Sequence, residues 1–337
     1  MKALVLAEPG RCELEERPKP DVGPGQLLLR MRVHSIGAEH AYSFKGESVY
    51  VRQSPRNPYY HGFPLTLEGE VVGEVVEVGP NVQGWQSGDR VVEWGPFQEY
   101  WTSNAAAALK VPGHLSDEEA VCIPWGGTTL HAVHRAQIQL GDSVAVFGQG
   151  PLGLLVTQWA RLSGALDVIA IDVRASRLAI ATEVGATHVV NAAEEDVYER
   201  VTALTGGQGA DVVIEASGVP AVVADAVAVA RTKARVVFLG WYQTAVTLPH
   251  WVADVYHKEL DLISTRAGGF PDRYFPIETS TGGRNRGIVC RLLSEGRVRV
   301  RPIVSHVLPV TEYAEALRLE LEKPEGSLKV LLRWSGV

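Results

Sequence analysis

The segment SVAVFGQGPLGLLVTQWARLSG, residues 143–164, decides how the rest of the chain is read. It opens on an apolar strand-like run, breaks at glycines and continues as a helix-like run. The break reads Gly148-Gln149-Gly150-Pro151-Leu152-Gly153, a G-x-G-x-x-G turn. In such a turn the first glycine permits the tight bend. The second lets a pyrophosphate approach the backbone, and the third lets the helix pack on the strand. The pyrophosphate then lies at a helix N-terminus, where free N–H groups favour anions. Gly148, Gly150, Pro151, Leu152 and Gly153 are therefore cofactor-binding candidates. A second strand-like run, DVIAIDV, carries Asp172, 19 residues beyond Gly153. That is the position of an acid that takes the adenosine ribose hydroxyls. A carboxylate there repels a 2′-phosphate and favours NAD over NADP. Arg174 and Arg177 pull the other way, since arginines pair with phosphate.

Outward from this segment, apolar strands alternate with amphipathic helices. THVVNA, GADVVIEASG and ARVVFLG supply further strands. The pattern predicts an α/β fold with a doubly wound parallel sheet covered on both faces, over residues 119–257. Residues 1–118 are β-rich, with short Val- and Leu-rich strands between Gly and Pro turns. Residues 258–337 return to that first domain. Near the junction, Ser116 and Glu119 have the spacing of a helix-capping pair.

Composition excludes several classes. The 337 residues are 46% hydrophobic and 21% charged, which is a packed globular chain. A net charge of −7 leaves no electrostatic footprint for nucleic acid or an anionic membrane. Cys12, Cys122 and Cys290 are far apart and form no C-x-x-C, so neither a disulfide framework nor a four-cysteine zinc lobe is expected. Reduced thiols fit a cytoplasmic protein. MKALVLAEPG does not read as a signal peptide, and no run of ~18 apolar residues is present to span a membrane.

The chain resembles the medium-chain dehydrogenase/reductase family, in its zinc-type alcohol and polyol dehydrogenase branch. GEVVEVGPNVQGWQSGDRVV, GDSVAVFGQGPLGLLVTQWA, IDVRASRLAIATEVGATHVVNA, GADVVIEASG and KPEGSLKVLLRW carry the resemblance. It implies a GroES-like catalytic domain beside a Rossmann domain, an NAD(H)-dependent oxidoreductase, a small-molecule substrate and a homodimer or homotetramer. The dimer would form along an edge strand in WVADVYHKELDLIST. The resemblance also implies a catalytic zinc held by a Cys, a His and a Cys or acid. Here the first position, in SIGAEH, is Gly37, and the second, in Glu68-Gly69-Glu70, is Gly69. The third, in AVCIPWGGTTLHAV, is Pro124, two residues from Cys122. GDRVVEW passes directly to GPFQEYW, with no structural-zinc lobe between them. No zinc is therefore expected. A rebuilt site would have to come from Glu39, His40, His61 and Glu70.

Without a metal to polarise the alcohol oxygen, a side chain must handle the proton. By the same resemblance Glu39 stands at the family's proton-relay position, His40 follows it and Tyr42 lies near a relay histidine. Glu70 remains from the family motif. These four are the catalytic candidates, and Glu39 and His40 read equally well as an exposed turn after a strand. Tyr59, Tyr60 and His61 on the long loop, with Trp94, Phe97 and Trp125, are candidates for an apolar substrate pocket; core packing is the plain alternative. Thr128 and Thr129 resemble positions near the nicotinamide, and Thr129 joins Arg177 among the cofactor candidates. The leading expectation is hydride transfer between nicotinamide and a carbonyl or secondary alcohol. Reduction of a quinone or enone, whose conjugation carries charge without a metal, is one alternative. A nucleotide-binding protein without activity is another.

Overall fold

The computed structural model describes the chain apart from residues 56, 59, 266–280 and 335–337, so Tyr59 lies outside the described residues. The chain divides into two compact units, Met1–Pro124 with Arg286–Val337, and Trp125–Asn285.

The first unit holds β1 (Lys2–Glu8), β2 (Arg11–Glu16), β3 (Gln26–Ile36), α1 (Ala38–Phe44), β4 (Leu65–Thr66), β5 (Glu68–Val78), β6 (Arg90–Pro96), β7 (Tyr100–Asn104) and β8 (Leu109–Lys110). A short α2 (Asp117–Ala120) opens on the expected cap: Glu119 N–H donates to Ser116 Oγ at 3.2 Å, and Ser116 N–H donates to Glu119 Oε2 at 2.8 Å. α3 (Ile123–Ala136) follows.

The second unit is the predicted parallel sheet. β9 (Ser143–Phe147), α4 (Pro151–Leu162), β10 (Asp167–Asp172), α5 (Ala175–Glu183), β11 (His188–Asn191), α6 (Val197–Leu204), β12 (Ala210–Glu215), α7 (Val222–Ala228) and β13 (Ala230–Phe238) alternate along the chain. The strand order, β11-β10-β9-β12-β13 and then β14 (Asp261–Ser264), is that of a Rossmann sheet. β9, β10 and β12 are buried at nearly every position, because helices cover both faces. The sequence reading closes this domain at residue 257. The structure adds β14, paired in parallel with β13, and carries the unit to Asn285. The boundary at 257 cuts through WVADVYHKELDLIST, the segment in which the family resemblance already implies an edge strand. β14 is also the sheet's edge strand, within the segment expected to be the dimer edge.

α8 (Thr281–Ser294), β15 (Val304–Pro309), α9 (Tyr313–Glu322) and β16 (Lys329–Arg333) complete the chain. β15 and β16 join the first unit's larger sheet, ordered β15-β16-β3-β5-β6-β8. β3 pairs with β16, β5 and β7. Leu29, Ile36, Val71, Phe97, Val330 and Leu332 belong to the unit's buried core. No helix among the described residues is long and apolar enough to cross a membrane.

One polar clamp sits inside that core. His34 is fully buried; its Nδ1 accepts from Trp334 Nε1–H at 2.8 Å, and its Nε2 lies 2.8 Å from the Pro96 carbonyl. Indole N–H only donates, so Nδ1 is unprotonated, Nε2–H donates to Pro96, and the ring is neutral. Burial holds its pKa down to about 3. A histidine depressed in the folded state stabilises fully above its unfolded pKa, about 6.5, and loses that contribution as pH falls toward the folded value. His34→Phe leaves the Trp334 N–H and the Pro96 carbonyl without partners, at about 1–3 kcal/mol each near neutral pH. Urea titrations of both proteins should show that deficit shrinking as pH falls from about 6.5 toward 3.

Candidate active site

The glycine turn has the geometry a dinucleotide phosphate needs. Gly148 has φ +83, and a Cβ on it would lie 2.7 Å from the backbone of Ser217. A Cβ on Gly153 would lie 1.8 Å from the Gly148 carbonyl, so helix and strand touch there. At Gly150 a Cβ would meet nothing within 4 Å. The middle glycine therefore faces open space, at the N-cap of a helix that no side chain caps, with Pro151 first in the helix and Leu152 next. These residues fit a pyrophosphate.

Asp172, at the end of β10, accepts the Gln149 N–H at 2.7 Å and the Arg174 N–H at 3.0 Å. Arg177 Nη1 stands 3.8 Å from it. Gln149 turns inward, fully buried, donating to the Val146 carbonyl at 2.9 Å and accepting from Thr157 Oγ1 at 3.1 Å. Glu215 was missed by sequence reasoning, although its segment carries part of the resemblance. It is fully buried at the end of β12 and accepts from Ser217 N–H at 2.7 Å, from the Ser217 hydroxyl and from the Tyr242 hydroxyl. Burial and this carboxylate push the Tyr242 phenol far above its usual range. Glu215 thereby holds Ser217, the residue against which Gly148 packs.

Thr129 is fully buried, its hydroxyl donates to the Trp125 and Gly126 carbonyls at 3.0 Å each, and it accepts Trp159 Nε1–H at 2.8 Å. It joins α3 to α4 inside the second unit, where Trp125 is also buried.

In the first unit the structure brings Glu39, His40 and Glu70 together where β3, β5 and β16 end beside α1. A Cβ on Gly37 would come within 2.7 Å of Glu39 Oε2 and 2.9 Å of Oε1. A Cβ on Gly69 would lie 3.0 Å from the Phe97 ring, 3.0 Å from the Ser35 carbonyl and 3.2 Å from His40 Cε1. The two places where the family resemblance puts zinc ligands are thus filled by other groups. At the third, Pro124 offers no donor atom on its side chain. Its neighbour Cys122 is fully buried, and its S–H donates to the Glu118 carbonyl at 3.2 Å. Burial pushes that thiol well above its usual range, away from the thiolate a metal binds. Among the described residues no three His, Cys, Asp or Glu side chains converge as a metal would need. The donor set does not fit a zinc ion.

His40 is 2% exposed, inside the unit and not on a surface turn. Gly37 N–H donates to its Nδ1 at 2.9 Å, and its Nε2 lies 2.8 Å from the Glu68 carbonyl. Both ring nitrogens serve the backbone in the neutral form. Glu39 Oε1 stands 3.3 Å from the same Nδ1, an ion pair only if the ring is charged. We take the neutral ring, because charging it would orphan the Gly37 N–H. Phe97 stacks on His34 at 4.3 Å and meets the His40 edge at 5.0 Å, so it is core and lines no pocket. Tyr42 lies half-buried on α1. Tyr60 and Trp94 are 43% and 48% exposed, and His61 is exposed, stacked on Tyr50 at 6.0 Å. Trp94 pairs with Glu70 across β5 and β6, so its half-exposed ring leaves the sheet on the same face as that acid.

Two acids share this cluster. Burial pushes Glu70, 7% exposed, above the usual carboxylate range; Lys329 pulls it back and Glu39 adds to the rise. Burial acts on Glu39 in the same sense; a charged His40 would oppose it most, and Lys329, its own backbone N–H and Lys323 oppose it with the ring neutral.

Comparison with known proteins agrees with the geometry. Residues 23–136 match the alcohol dehydrogenase GroES-like domain, and residues 151–278 match the zinc-binding dehydrogenase family. The chain belongs to the medium-chain alcohol-dehydrogenase-like family of oxidoreductases. It is 29% identical to an alcohol dehydrogenase of Cupriavidus necator, over 99% of this chain and 98% of that protein. It is 28% identical to a sorbitol dehydrogenase of Gallus gallus, over 98% and 96%. Its fold superposes on alcohol dehydrogenase TADH from Thermus sp. ATN1 with a TM-score of 0.79 at 27% identity, covering 99% of each chain. It superposes on 2R,3R-butanediol dehydrogenase from Bacillus subtilis with a TM-score of 0.83 at 24% identity, covering 98% and 99%.

Restoring the lost ligand types should not restore a metal site. In Gly37→Cys with Gly69→His, the histidine is driven into the Phe97 ring and the Ser35 carbonyl, overpacking that costs about 1–3 kcal/mol, while the flexible Glu39 side chain can swing away from the cysteine. Calorimetry should show a lower Tm, and the dialysed double variant should hold no stoichiometric zinc.

Proposed function

We propose that the protein is an NAD(H)-dependent oxidoreductase that moves hydride between nicotinamide and a carbonyl or secondary alcohol without a catalytic zinc. The observation that carries this reading is the Glu39 carboxylate, lying in the space a ligand side chain on Gly37 would need. The family fold is kept, the turn fits a dinucleotide, and the metal-ligand positions hold an acid, two rings and a proline.

A bound nicotinamide would take up or deliver the hydride. The chain's own residues do the rest. The Gly148–Gly153 turn holds the pyrophosphate on backbone N–H groups, and Asp172 faces the adenosine ribose, which favours NAD over NADP. Glu39, ionised and partly exposed, takes the hydroxyl proton in oxidation and returns it in reduction. His40 cannot share that work while both its nitrogens bond to backbone. It holds the Gly37–Glu39 turn in place instead. Burial holds Glu70 above the usual carboxylate range, and Ser35 lies beside it.

Metal analysis of protein purified without chelator or added zinc comes first, followed by assays with alcohols, ketones, enones and quinones. We expect background zinc, NADH binding, and turnover of carbonyls or alcohols. Zinc near one per chain would overturn the metal-free reading, and turnover of enones or quinones alone would replace it with the conjugate reduction. Glu39→Gln should lower kcat by about 10²–10⁴-fold, the range for a lost general base, with NADH affinity unchanged.

A further inference from the structure

Strand order places the second half of a dinucleotide. The sheet reads β11-β10-β9-β12-β13-β14, two halves that meet between β9 and β12. Asp172 at the end of β10 and the glycine turn after β9 serve the adenosine half and the pyrophosphate. The nicotinamide of a bound dinucleotide then falls beyond the carboxyl ends of β12 and β13. One acid closes those two ends on each other. Glu215 pairs with Phe147 on one side and Phe238 on the other. Its backbone carbonyl accepts the Leu239 and Gly240 N–H groups at 2.9 Å each. Its carboxyl oxygens divide the rest: Oε1 accepts the Ser217 N–H and the Ser217 hydroxyl, and Oε2 accepts the Tyr242 hydroxyl. Ser217 Oγ in turn accepts the Val219 N–H at 3.1 Å. A Cβ on Gly240 would strike Oε2 and come within 2.7 Å of the Gly218 nitrogen. Gly218 has φ +69, and a Cβ on it would lie 3.4 Å from the Trp241 nitrogen. The turn after β12 thus lies on the turn after β13. Val219 and Trp241, on these turns, are exposed, whereas Tyr242 is half-buried against the unit's core. Ser217 belongs to the turn after β12, so its two bonds hold that turn alone. Tyr242 supplies the side-chain bond that crosses from β13. Without it Oε2 loses a hydrogen bond that is costly to leave unmade in a buried group, and no side chain ties it to the end of β13.

We infer that Tyr242 is a positioning residue for the nicotinamide end of the dinucleotide. Through Glu215 it sets the spacing of the Ser217–Gly218 and Gly240–Trp241 turns, and these carry the apolar Val219 and Trp241 side chains to the place where the nicotinamide lies. Asp172 ends β10, on the far side of β9, so the adenosine half does not depend on it. The phosphate turn meets Ser217 at Gly148, but the pyrophosphate is common to the dinucleotide and to ADP-ribose. The inference rests on the proposed binding of NAD(H) and not on hydride transfer.

Two probes separate the ends. ADP-ribose is the dinucleotide without its nicotinamide, and NADH is the whole. Calorimetry with both, on wild type and Tyr242→Phe, reads the nicotinamide contribution as the ratio of the two dissociation constants. The wild type should bind NADH more tightly. Tyr242→Phe should shrink the ratio by about 3–10-fold, the size of one net hydrogen bond, through weaker NADH binding and unchanged ADP-ribose binding. The fluorescence anisotropy of bound NADH should fall with it, because the reduced nicotinamide is the emitter and is held less firmly. Ser217→Ala, which loosens the other carboxyl oxygen, should act in the same direction, and the double variant should lose less than the sum if both act through Glu215. A lower Tm with an unchanged ratio makes Tyr242 a structural residue and overturns the inference. So does a wild type that binds ADP-ribose as tightly as NADH, which decides the matter even if Tyr242→Phe fails to fold. A wild type that binds neither probe refutes the dinucleotide reading and the inference with it. The expected ratios in a protein without turnover would refute the proposed function and leave Tyr242 in its role. Turnover with a ratio that Tyr242→Phe leaves unchanged would do the reverse.

Discussion

The ladder between β3 and β16 joins residues about 300 positions apart, and the first unit's site depends on it. Each strand is short on its own account and gains stability only from its partners. Once paired, the register settles both faces at a stroke. On one face Trp334 reaches His34, and that buried imidazole closes the core with both nitrogens satisfied. On the other face Lys329 arrives beside Gly37 and Ser35. A slip of one residue would exchange the two faces, putting the lysine into the core and Val330 among the carboxylates.

That second face obeys a stricter rule than packing. A charge in a low-dielectric interior must be neutralised, either by a proton or by an opposite charge. In relatives with a metal ion, the ion's own charge would dominate such a place. Here the glycines at 37 and 69 remove the donor side chains, and the vacated space is occupied by the Glu39 carboxylate and by the His40 and Phe97 rings. Adding a carboxylate without a cation would be costly. Lys329 and Lys323 act on Glu39, and burial holds Glu70 above the usual carboxylate range. In the second unit Glu215 meets the same rule differently, taking hydrogen bonds from Ser217 and Tyr242.

The dinucleotide turn was legible because its requirements are local. Gly148, Gly150 and Gly153 each answer a steric demand within six residues, and the flanking strand and helix announce themselves by period. Asp172 was legible for the same reason. The direction of Thr129 was not legible, because a hydroxyl near a family position says nothing about it, and in the fold it turns inward to Trp159. His40 read equally as a proton carrier and as an exposed turn, because a His after a Glu carries no signal of burial. Trp94 and Tyr60 read as pocket residues from their chemistry, but only the register of β5 and β6 shows that Trp94 stands opposite Glu70.

By itself the sequence determined the Rossmann sheet, the β-rich companion unit, the phosphate turn and the absence of ligand side chains at Gly37 and Gly69. These follow from residue type and from spacing along the chain, to which backbone geometry responds directly. Only the tertiary structure decided what fills the vacated space, which of Glu39 and His40 is left with a free acceptor, that Glu215 supports the turn, and that Lys329 faces the acids. Those are outcomes of strand register and burial, set by contacts between segments up to 300 residues apart, where no local period carries the information.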